Sequence, residues 1–265
     1  MTRLPVKKTY KLYIGGEFPR SESGRTYEAE GANVARASRK DLRDAVRAAR
    51  SAFGGWSGMT AYNRGQVVYR VAEMLESRRA EFAELSTGAK EVDRSIDRLV
   101  WYAGWADKLA QVLGSSNPVA GPYFNFTFPE PTGVVGILAP EEPPLAGLVS
   151  RIAPAIVGGN TTVVVASEAH PLAAVELAEV LATSDVPGGV VNLLTGHGEE
   201  LAPWLAGHMD VNALDLAGAD GQAQELEQLA ADNVKRVVHG RADEQSPSAI
   251  ASFLELKTVW HPIGQ

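Results

Sequence analysis

The chain has 265 residues, a length that accommodates one or two domains with a substantial buried core. It contains no cysteine, which excludes disulfides, thiolate metal sites and any mechanism that uses a sulfur nucleophile of this chain. The 25 Lys and Arg against 32 Asp and Glu give a formal charge of -7, and the basic residues are scattered, so we expect no nucleic-acid partner. No apolar run approaches the length of a membrane span and residues 1–16 lack a signal peptide's apolar stretch, so we expect a cytoplasmic protein without a membrane partner.

The first part of the chain, up to about Gly114, is predicted to be mainly helical. Residues 11–18 are apolar on either side of a glycine pair, which suggests a short hairpin. Ser38 is typical of a helix N-cap because Asp41, three residues on, completes a capping box, and Gly54-Gly55 is predicted to end that helix. Two further helices are predicted, one from about residue 60 to 75 and one that carries Ile96, Leu99, Val100 and Ala103 on one face.

Short apolar strands then alternate with amphipathic helices. The segment 134–138 is apolar without polar alternation, which is typical of a parallel strand covered on both faces. The predicted strands are 134–138, 162–165, 190–194, 213–216 and 235–238. The first connecting helix closes at Gly158-Gly159, and the others are predicted over 171–181, 200–206 and 221–230. This alternation predicts an α/β fold with a doubly wound, Rossmann-like parallel sheet, followed by a flexible linker over 241–248.

Several common chemistries are excluded by spacing. The sequence has no Gly-Lys dipeptide, so a P-loop is absent, and it has no Gly-x-Ser-x-Gly elbow of a serine hydrolase. The histidines lie far apart, without the spacing of metal ligands, and we expect no metal site; they are His170, His197, His208, His239 and His261.

Two loops that follow predicted strands are candidates for chemistry. Gly196-His197-Gly198 opens a helix, but Leu201 stands where a dinucleotide fingerprint has its third glycine, so a phosphate site and a simple tight turn both remain open. Glu141-Glu142 lies past the end of the first parallel strand. Paired carboxylates at that edge can act as acid and base, while the alternative is a solvated loop between prolines.

Six motifs follow one another in a distinctive order. They are YIGGEF at 13–18, the capped helix of 38–56 ending in AFGGW, WYAGWAD at 101–107, PTGVVGI at 131–137, IAPA leading to GNT at 152–161, and VPGGVVN at 186–192. Together they resemble the aldehyde dehydrogenase superfamily. The resemblance implies a cofactor domain in which NAD or NADP crosses the C-terminal edge of the parallel strands.

The resemblance implies that four residues of this chain bind such a cofactor, namely Glu168, Gly196, Gly198 and Gly218. It also implies a catalytic cysteine, an asparagine that donates to the oxyanion, and a glutamate base. This chain has no cysteine, and the strand that should end in the glutamate ends in His239-Gly240, so we expect no catalytic residue.

Other departures weaken the expected cofactor site. Glu142 replaces the oxyanion asparagine, and an ionised carboxylate has no hydrogen to donate. Val165 replaces a lysine that contacts the adenosine ribose. Ala217 and Ala219 replace two hydroxyl residues of a turn beside the pyrophosphate, and the anionic Asp220 follows them. No cofactor is therefore expected to bind tightly, and NAD or NADP is the one expected if any binds.

The largest departure is a missing domain. Residues 253–260 resemble the strand at the extreme C-terminus of family members, yet only residues 241–252 separate it from the cofactor-type domain. The predicted segments are 1–121 (hairpin and helices), 122–130 (an arm strand), 131–240 (the Rossmann-like part), 241–252 (a linker replacing the catalytic domain) and 253–265 (a second arm strand). The family builds its oligomerisation arm from the two strand segments, so a homo- or hetero-oligomer through 122–130 and 253–261 is expected.

Three functions fit these residues. The first is a pseudoenzyme that keeps the fold and the arm and acts as a structural or regulatory partner, with a full-length aldehyde dehydrogenase as one candidate. The second is a small NAD(P)-binding oxidoreductase that uses Glu141 or Glu142. The third is a module that senses a nucleotide without chemistry. Titration with NAD separates the first from the others, and turnover separates the second from the third.

Overall fold

The computed structural model describes Leu4 and residues 6–264. Residues 1–3, 5 and 265 lie outside the described residues. They belong to the predicted segments 1–121 and 253–265, and residues 1–3 and 5 also belong to the stretch 1–16 that was compared with a signal peptide. Three short strands come first and form a sheet in the order β1-β3-β2: β1 (Thr9–Tyr10), β2 (Thr26–Ala29) and β3 (Ala32–Ala35). This sheet was not predicted from the sequence.

The predicted hairpin around Gly15-Gly16 is a tight turn with one bridged pair, Ile14 with Glu17. Its main role is to dock on the edge of the large sheet, since Tyr13 and Leu193 exchange backbone hydrogen bonds of 3.0 and 2.8 Å. A β-carbon on Gly16 would lie 2.9 Å from the backbone of Gly188, so the close approach requires glycine.

The first helix, α1 (Arg39–Gly58), has the predicted capping box at Ser38 and Asp41. It does not end at Gly54-Gly55, and that prediction was wrong. The helix continues because Trp56 is fully buried and its indole Nε1 donates to the carbonyl of Ile156 at 2.9 Å. Burying a tryptophan offsets the cost of about 1 kcal/mol that each glycine brings to a helix.

The rest of the first part is helical, as predicted. It comprises α2 (Ala61–Ser77), capped by Thr60, α3 (Arg79–Glu84), α4 (Ala89–Ala103), a short 3-10 turn (Ala106–Lys108) and α5 (Leu109–Leu113). Two strands follow, β4 (Ser115–Asn117) and β5 (Tyr123–Pro131). Helix α3 was not predicted from the sequence.

The five predicted parallel strands are present. They are β6 (Val134–Leu138), β7 (Thr161–Val165), β8 (Val191–Leu194), β9 (Ala213–Asp215) and β10 (Arg236–Val238), connected by α6 (Pro144–Val157), α7 (Pro171–Ala182), α8 (Gly198–Ala206) and α9 (Ala223–Ala231). The strand order is β10-β9-β6-β7-β8, and all neighbours are parallel. The strand order therefore reverses between β6 and β9, where a doubly wound sheet opens its binding crevice.

Helices cover both faces of this sheet, which confirms the predicted fold class. One core lies between the sheet and α1, α8 and α9, while the other lies under α6 and α7 and continues to α2 and α4. Within residues 6–264, every helix is too short or too polar to span a bilayer.

The last elements are α10 (Pro247–Ala251) and β11 (Leu254–Pro262). Strand β11 pairs antiparallel with β5 along its whole length, from Leu254 opposite Pro131 to Pro262 opposite Tyr123. With β4 they form a sheet in the order β11-β5-β4, which we call the arm sheet. The register places Leu256 and Trp260 on the face opposite the three phenylalanines of β5, in agreement with the predicted alternation.

The predicted flexible linker, 241–248, is tied down by three side chains. Arg98 donates to the carbonyls of Ala242 and Asp243 at 3.3 and 3.0 Å, and the hydroxyl of Tyr102 donates to the carbonyl of Glu244 at 3.3 Å. Arg151 donates to the carboxylate of Glu244 at 3.2 Å. The segment leads directly into α10, whose Ala249 and Ile250 are buried. The segment is therefore a packed connection, which corrects the expectation of flexibility.

A buried ion pair joins α6 to β9, and its arginine is one of the three side chains that hold the connection. Arg151 and Asp215 are both fully buried, and the guanidinium Nε lies 2.6 Å from a carboxylate oxygen. Burial raises the pKa of Asp215, while the charge of Arg151 opposes that rise. A β-carbon on Gly240 would lie 2.1 Å from the guanidinium, so this glycine leaves room for Arg151. This pair was not predicted from the sequence.

Candidate functional site

A crevice of about 180 Å³ lies at the C-terminal ends of β6, β7 and β9, where the strand order reverses. Its apolar wall comes from the strand ends and from α8, through Leu138, Val165 and Ala202. Its charged residues are all acidic, namely Glu141, Glu168, Glu199 and Asp220, and the neutral amide of Gln222 completes the polar wall. The crevice thus lies where the fold predicts ligand binding and contains three of the four predicted cofactor positions, Glu168, Gly198 and Gly218.

Glu168 reaches across the crevice from the loop after β7. One carboxylate oxygen lies 2.6 Å from His197 Nδ1, and the other accepts a hydrogen bond of 3.0 Å from the backbone N–H of Gly198. Free N–H groups at a helix N-terminus are the usual anchor for phosphate. In this chain an internal carboxylate already binds one such N–H of α8.

Glu141 is also engaged by the chain itself. It accepts hydrogen bonds from the hydroxyl of Ser167 and from the backbone N–H groups of Glu168 and Ala169, the latter two at 3.0 and 3.1 Å. Glu142 is 73% exposed and has only a long contact of 3.7 Å with His170. The solvated-loop interpretation therefore fits Glu142 but not Glu141, whose carboxylate holds the loop after β7.

The predicted glycines have different structural roles. Gly196 has φ +151°, and a β-carbon there would lie 3.1 Å from the backbone nitrogen of Ala37. Gly218 lies so close to β6 that a β-carbon would meet the carbonyl oxygen of Ala139 at 2.1 Å. Gly198 faces open space. Packing therefore accounts for Gly196 and Gly218 without a ligand.

Gly218 and Gly198, which both line the crevice, allow a prediction with a matched control. We expect Gly218→Ala to lower the free energy of unfolding by roughly 1–3 kcal/mol, because the β-carbon forces β6 and the loop after β9 apart. Gly198→Ala is expected to change it by about 0.5 kcal/mol or less. Urea unfolding followed by circular dichroism measures both, and equal stability of the two variants would contradict this account of Gly218.

The electrostatics of the crevice are uniformly negative. Four carboxylates line it, and no lysine or arginine is among its lining residues in the described part of the chain. Tyr27 of β2 lies next to it and packs against His197, with the two rings tilted and their centroids 5.3 Å apart. Burial raises the pKa of Tyr27, and the negative charges of Glu168 and Glu141 raise it further. Such a crevice favours a neutral or cationic group over a phosphate.

Another buried carboxylate, Glu91 of α4, holds the N-terminus of α6. It accepts hydrogen bonds of 2.8 Å from the N–H groups of both Leu145 and Ala146, and one of 2.7 Å from the N–H of Thr87. Burial alone raises the pKa of Glu91, but a hydrogen bond from the Thr87 hydroxyl, together with those from the three N–H groups, outweighs burial and lowers it overall. Sequence reasoning missed Glu91, because nothing in its own helix shows which helix it caps.

Comparison with known proteins decides the family. The model of the aldehyde dehydrogenase family matches residues 24–241, which is most of the chain. This chain belongs to the aldehyde dehydrogenase family. Membership confirms the resemblance carried by the six motifs.

Several similar proteins are about twice as long as this chain. Cytosolic aldehyde dehydrogenase 1 of Elephantulus edwardii is 34% identical over 258 residues, which cover 89% of this chain and 51% of that protein. Retinal dehydrogenase 2 of Mus musculus is 34% identical over 255 residues, which cover 88% of this chain and 48% of that protein. The chain thus spans about half the length of the curated relatives that it matches.

A solved structure gives the same picture. The NAD+ complex of an aldehyde dehydrogenase from Bacillus cereus superposes with a TM-score of 0.82 and 29% identity, covering 87% of this chain and 50% of that one. The fold is therefore that of an aldehyde dehydrogenase over most of this chain. The roles of Glu168, Gly196, Gly198 and Gly218 in cofactor binding stay predictions for this member of the family.

Proposed function

We propose that this chain is an aldehyde dehydrogenase-like pseudoenzyme, which oxidises no aldehyde by itself and acts as a structural or regulatory partner in an oligomer. The observation that carries the proposal is the acidic lining of the crevice, together with the N–H at the start of α8 that is already bonded. Glu168 binds the N–H of Gly198 at the start of α8, and all four charged residues that line the crevice are acidic. The absence of cysteine from the chain supports the same conclusion.

The residues of the crevice do not fit a dinucleotide. NAD and NADP carry a pyrophosphate, which needs hydrogen-bond donors or cations, whereas Glu141, Glu199 and Asp220 present negative charge to it. The ordinary anchor for phosphate is partly taken by Glu168. We therefore derive no reaction step through a nicotinamide cofactor, and we propose that NAD and NADP bind weakly or not at all.

The arm sheet supports the partner role. Strand β11 is an edge strand, and Leu256 and Trp260 on one of its faces are 60% and 58% exposed. On the other face Phe124 is exposed at the end of a row of three phenylalanine rings. An edge strand with exposed apolar side chains favours pairing with another chain.

The resemblance implies that such an arm lies against the catalytic domain of a neighbouring subunit. Residues 241–252, which include α10, leave no room in this chain for that domain between β10 and β11. We therefore favour a full-length aldehyde dehydrogenase subunit as the partner, with self-association through the two arm sheets as the second form of the same proposal.

Light scattering after size exclusion tests the partner role. We expect the chain, alone or mixed with a full-length aldehyde dehydrogenase of the same source, to elute with a mass above that of a monomer. The double variant Leu256→Lys/Trp260→Lys is expected to elute as a monomer, because it places two charges on the exposed face of β11. Phe253 and Leu254 are kept because both are buried.

The matched control for this experiment is Val234→Lys, which adds charge at an exposed valine outside the arm sheet. It should leave the mass unchanged. A monomeric mass for the unmodified chain, both alone and in the mixture, would contradict the proposed partner role.

A further inference from the structure

A second cavity, of about 880 Å³, lies outside the sheet between α1, α8 and the end of α9. It shares no lining residue with the crevice at the strand ends. Its volume falls in the range of roughly 300–1,000 Å³ that is typical of sites for small molecules. Nothing in the proposed partner role uses this surface.

The apolar part of the cavity centres on two large exposed side chains. Trp204 of α8 is 45% exposed, and Met209, in the loop after α8, is 69% exposed. Leu42, Pro203 and Leu229 complete the apolar lining. A tryptophan and a methionine that share one open cavity form a platform for an apolar chain or ring. We call this surface, lined by these five residues together with Arg39, the Trp204 groove.

The charged rim of the groove is basic, although the chain has a formal charge of -7. Arg39, Lys40 and Arg43 line it, against one carboxylate, Asp232. Lys40 pairs with Glu22 at 2.7 Å and Arg43 with Asp44 at 2.9 Å.

Arg39 differs from the other two cations. Its guanidinium lies 3.8 Å above the ring of Trp204, and none of the ion pairs within residues 6–264 involves it. A guanidinium held over an aromatic ring keeps N–H groups that can bind a carboxylate through two parallel hydrogen bonds. The groove therefore offers one unpaired cation beside an apolar platform.

His208 adds a polar but uncharged wall. Its Nδ1 accepts a hydrogen bond of 3.2 Å from the backbone N–H of Asp210, which leaves the ring proton on Nε2. Burial lowers the pKa of His208, and the positive charges of Lys235 and Arg39 lower it further against the opposing effect of Asp210. The lowered pKa favours the neutral imidazole, which supplies a donor without a second charge.

We propose that the Trp204 groove binds a small amphipathic monocarboxylate, with its apolar chain or ring on Trp204, Met209 and Leu229 and its carboxylate on Arg39. A single unpaired cation matches a single negative charge. The small-molecule volume and the mixed lining favour such a ligand over an extended acidic segment of a protein, which would need a longer row of free cations.

Calorimetry with octanoate as the probe, and octanol as an uncharged probe of equal length, tests the proposal. We expect octanoate to bind one site at least about tenfold more tightly than octanol, since the pair with Arg39 is charge-assisted. Arg39→Gln should remove this preference. The control Arg47→Gln, which changes an exposed arginine of the same helix outside the groove, should retain it.

A second variant keeps the test decisive should Arg39→Gln perturb the fold. Met209→Glu places a negative charge at an exposed position and should weaken octanoate more than octanol. Equal binding of the two probes, no binding of octanoate, or an unchanged preference in both groove variants would overturn the proposal. Binding of an acidic peptide where octanoate fails would overturn it too, and would indicate a protein-docking groove instead.

Discussion

Replacing Arg151 by methionine is expected to lower the free energy of unfolding by about 3–5 kcal/mol, the usual cost of leaving a buried charge without its partner. Asp215 is fully buried and has its carboxylate 2.6 Å from the guanidinium Nε. The same substitution removes the bond to Glu244, which helps to hold the connection after β10. Urea unfolding at pH 7 measures the loss.

Two controls separate the buried pair from a general effect of removing charge. Arg241→Met removes an arginine whose ion pair with Asp243 is largely exposed, and it should change stability by about 0.5 kcal/mol or less. The double variant Arg151→Met/Asp215→Leu removes both buried charges and should regain most of the loss. A double variant as unstable as Arg151→Met would contradict the account of this pair.

Glu91→Ala is expected to lower the free energy of unfolding by about 3 kcal/mol, since it removes the cap of α6 and leaves the two buried N–H groups of Leu145 and Ala146 without their acceptor. It also removes the acceptor of the Thr87 N–H. Glu81→Ala, at an exposed glutamate on the neighbouring α3, is the control and should have little effect. Thermal unfolding followed by circular dichroism compares the two. A Glu91→Ala variant as stable as Glu81→Ala would contradict the capping role.

The same carboxylate predicts a pH dependence. The pKa of Glu91 is lower in the folded chain than its ordinary value of 4.5, so the unfolded chain binds the proton more tightly. The stabilisation by Glu91 is complete above that ordinary value and is lost as the pH falls through the lowered folded pKa. Stability of the native chain should therefore fall more steeply below pH 4.5 than that of Glu91→Gln, and parallel profiles would contradict this.

The parallel sheet was predictable because its strands are buried on both faces and form continuous apolar runs. The segments around Val134 and Val163 carry this signal in the sequence alone. The capping box at Ser38 and Asp41 was predictable for a similar reason, since both partners lie within one turn. Local signals of this kind do not depend on what packs from elsewhere in the chain.

The errors arise where distant residues decide the outcome. Gly54-Gly55 favours a helix end locally, but the burial of Trp56 against α6 overrides it. The packing of residues 241–248 depends on Arg98 and Arg151, which lie far away in sequence. A signal was available for Arg151 and Asp215, because each is a charged residue inside an otherwise apolar segment, but the sequence does not show which charges pair.

In the crevice, the positions of the residues were predictable from the sequence, but their contacts were not. Sequence placed Glu168 and Gly198 at the carboxyl edge of the sheet, and the structure places both there. What sequence reasoning missed is that the two bind each other. A carboxylate three to four residues after a strand can face a ligand or its neighbouring helix with equal ease. Only the folded arrangement of the β7 and α8 loops distinguishes the two.

Calorimetric titration of the chain with NAD tests the central claim most directly. The account predicts no saturable heat at micromolar concentrations of NAD, since the crevice presents four carboxylates to a pyrophosphate and the N–H of Gly198 is already bonded to Glu168. The titration is repeated with NADP, and the arm variant Leu256→Lys/Trp260→Lys is measured beside the native chain so that self-association does not mask the site. A saturable one-site isotherm with a dissociation constant in the low micromolar range, for either nucleotide, would contradict the pseudoenzyme account.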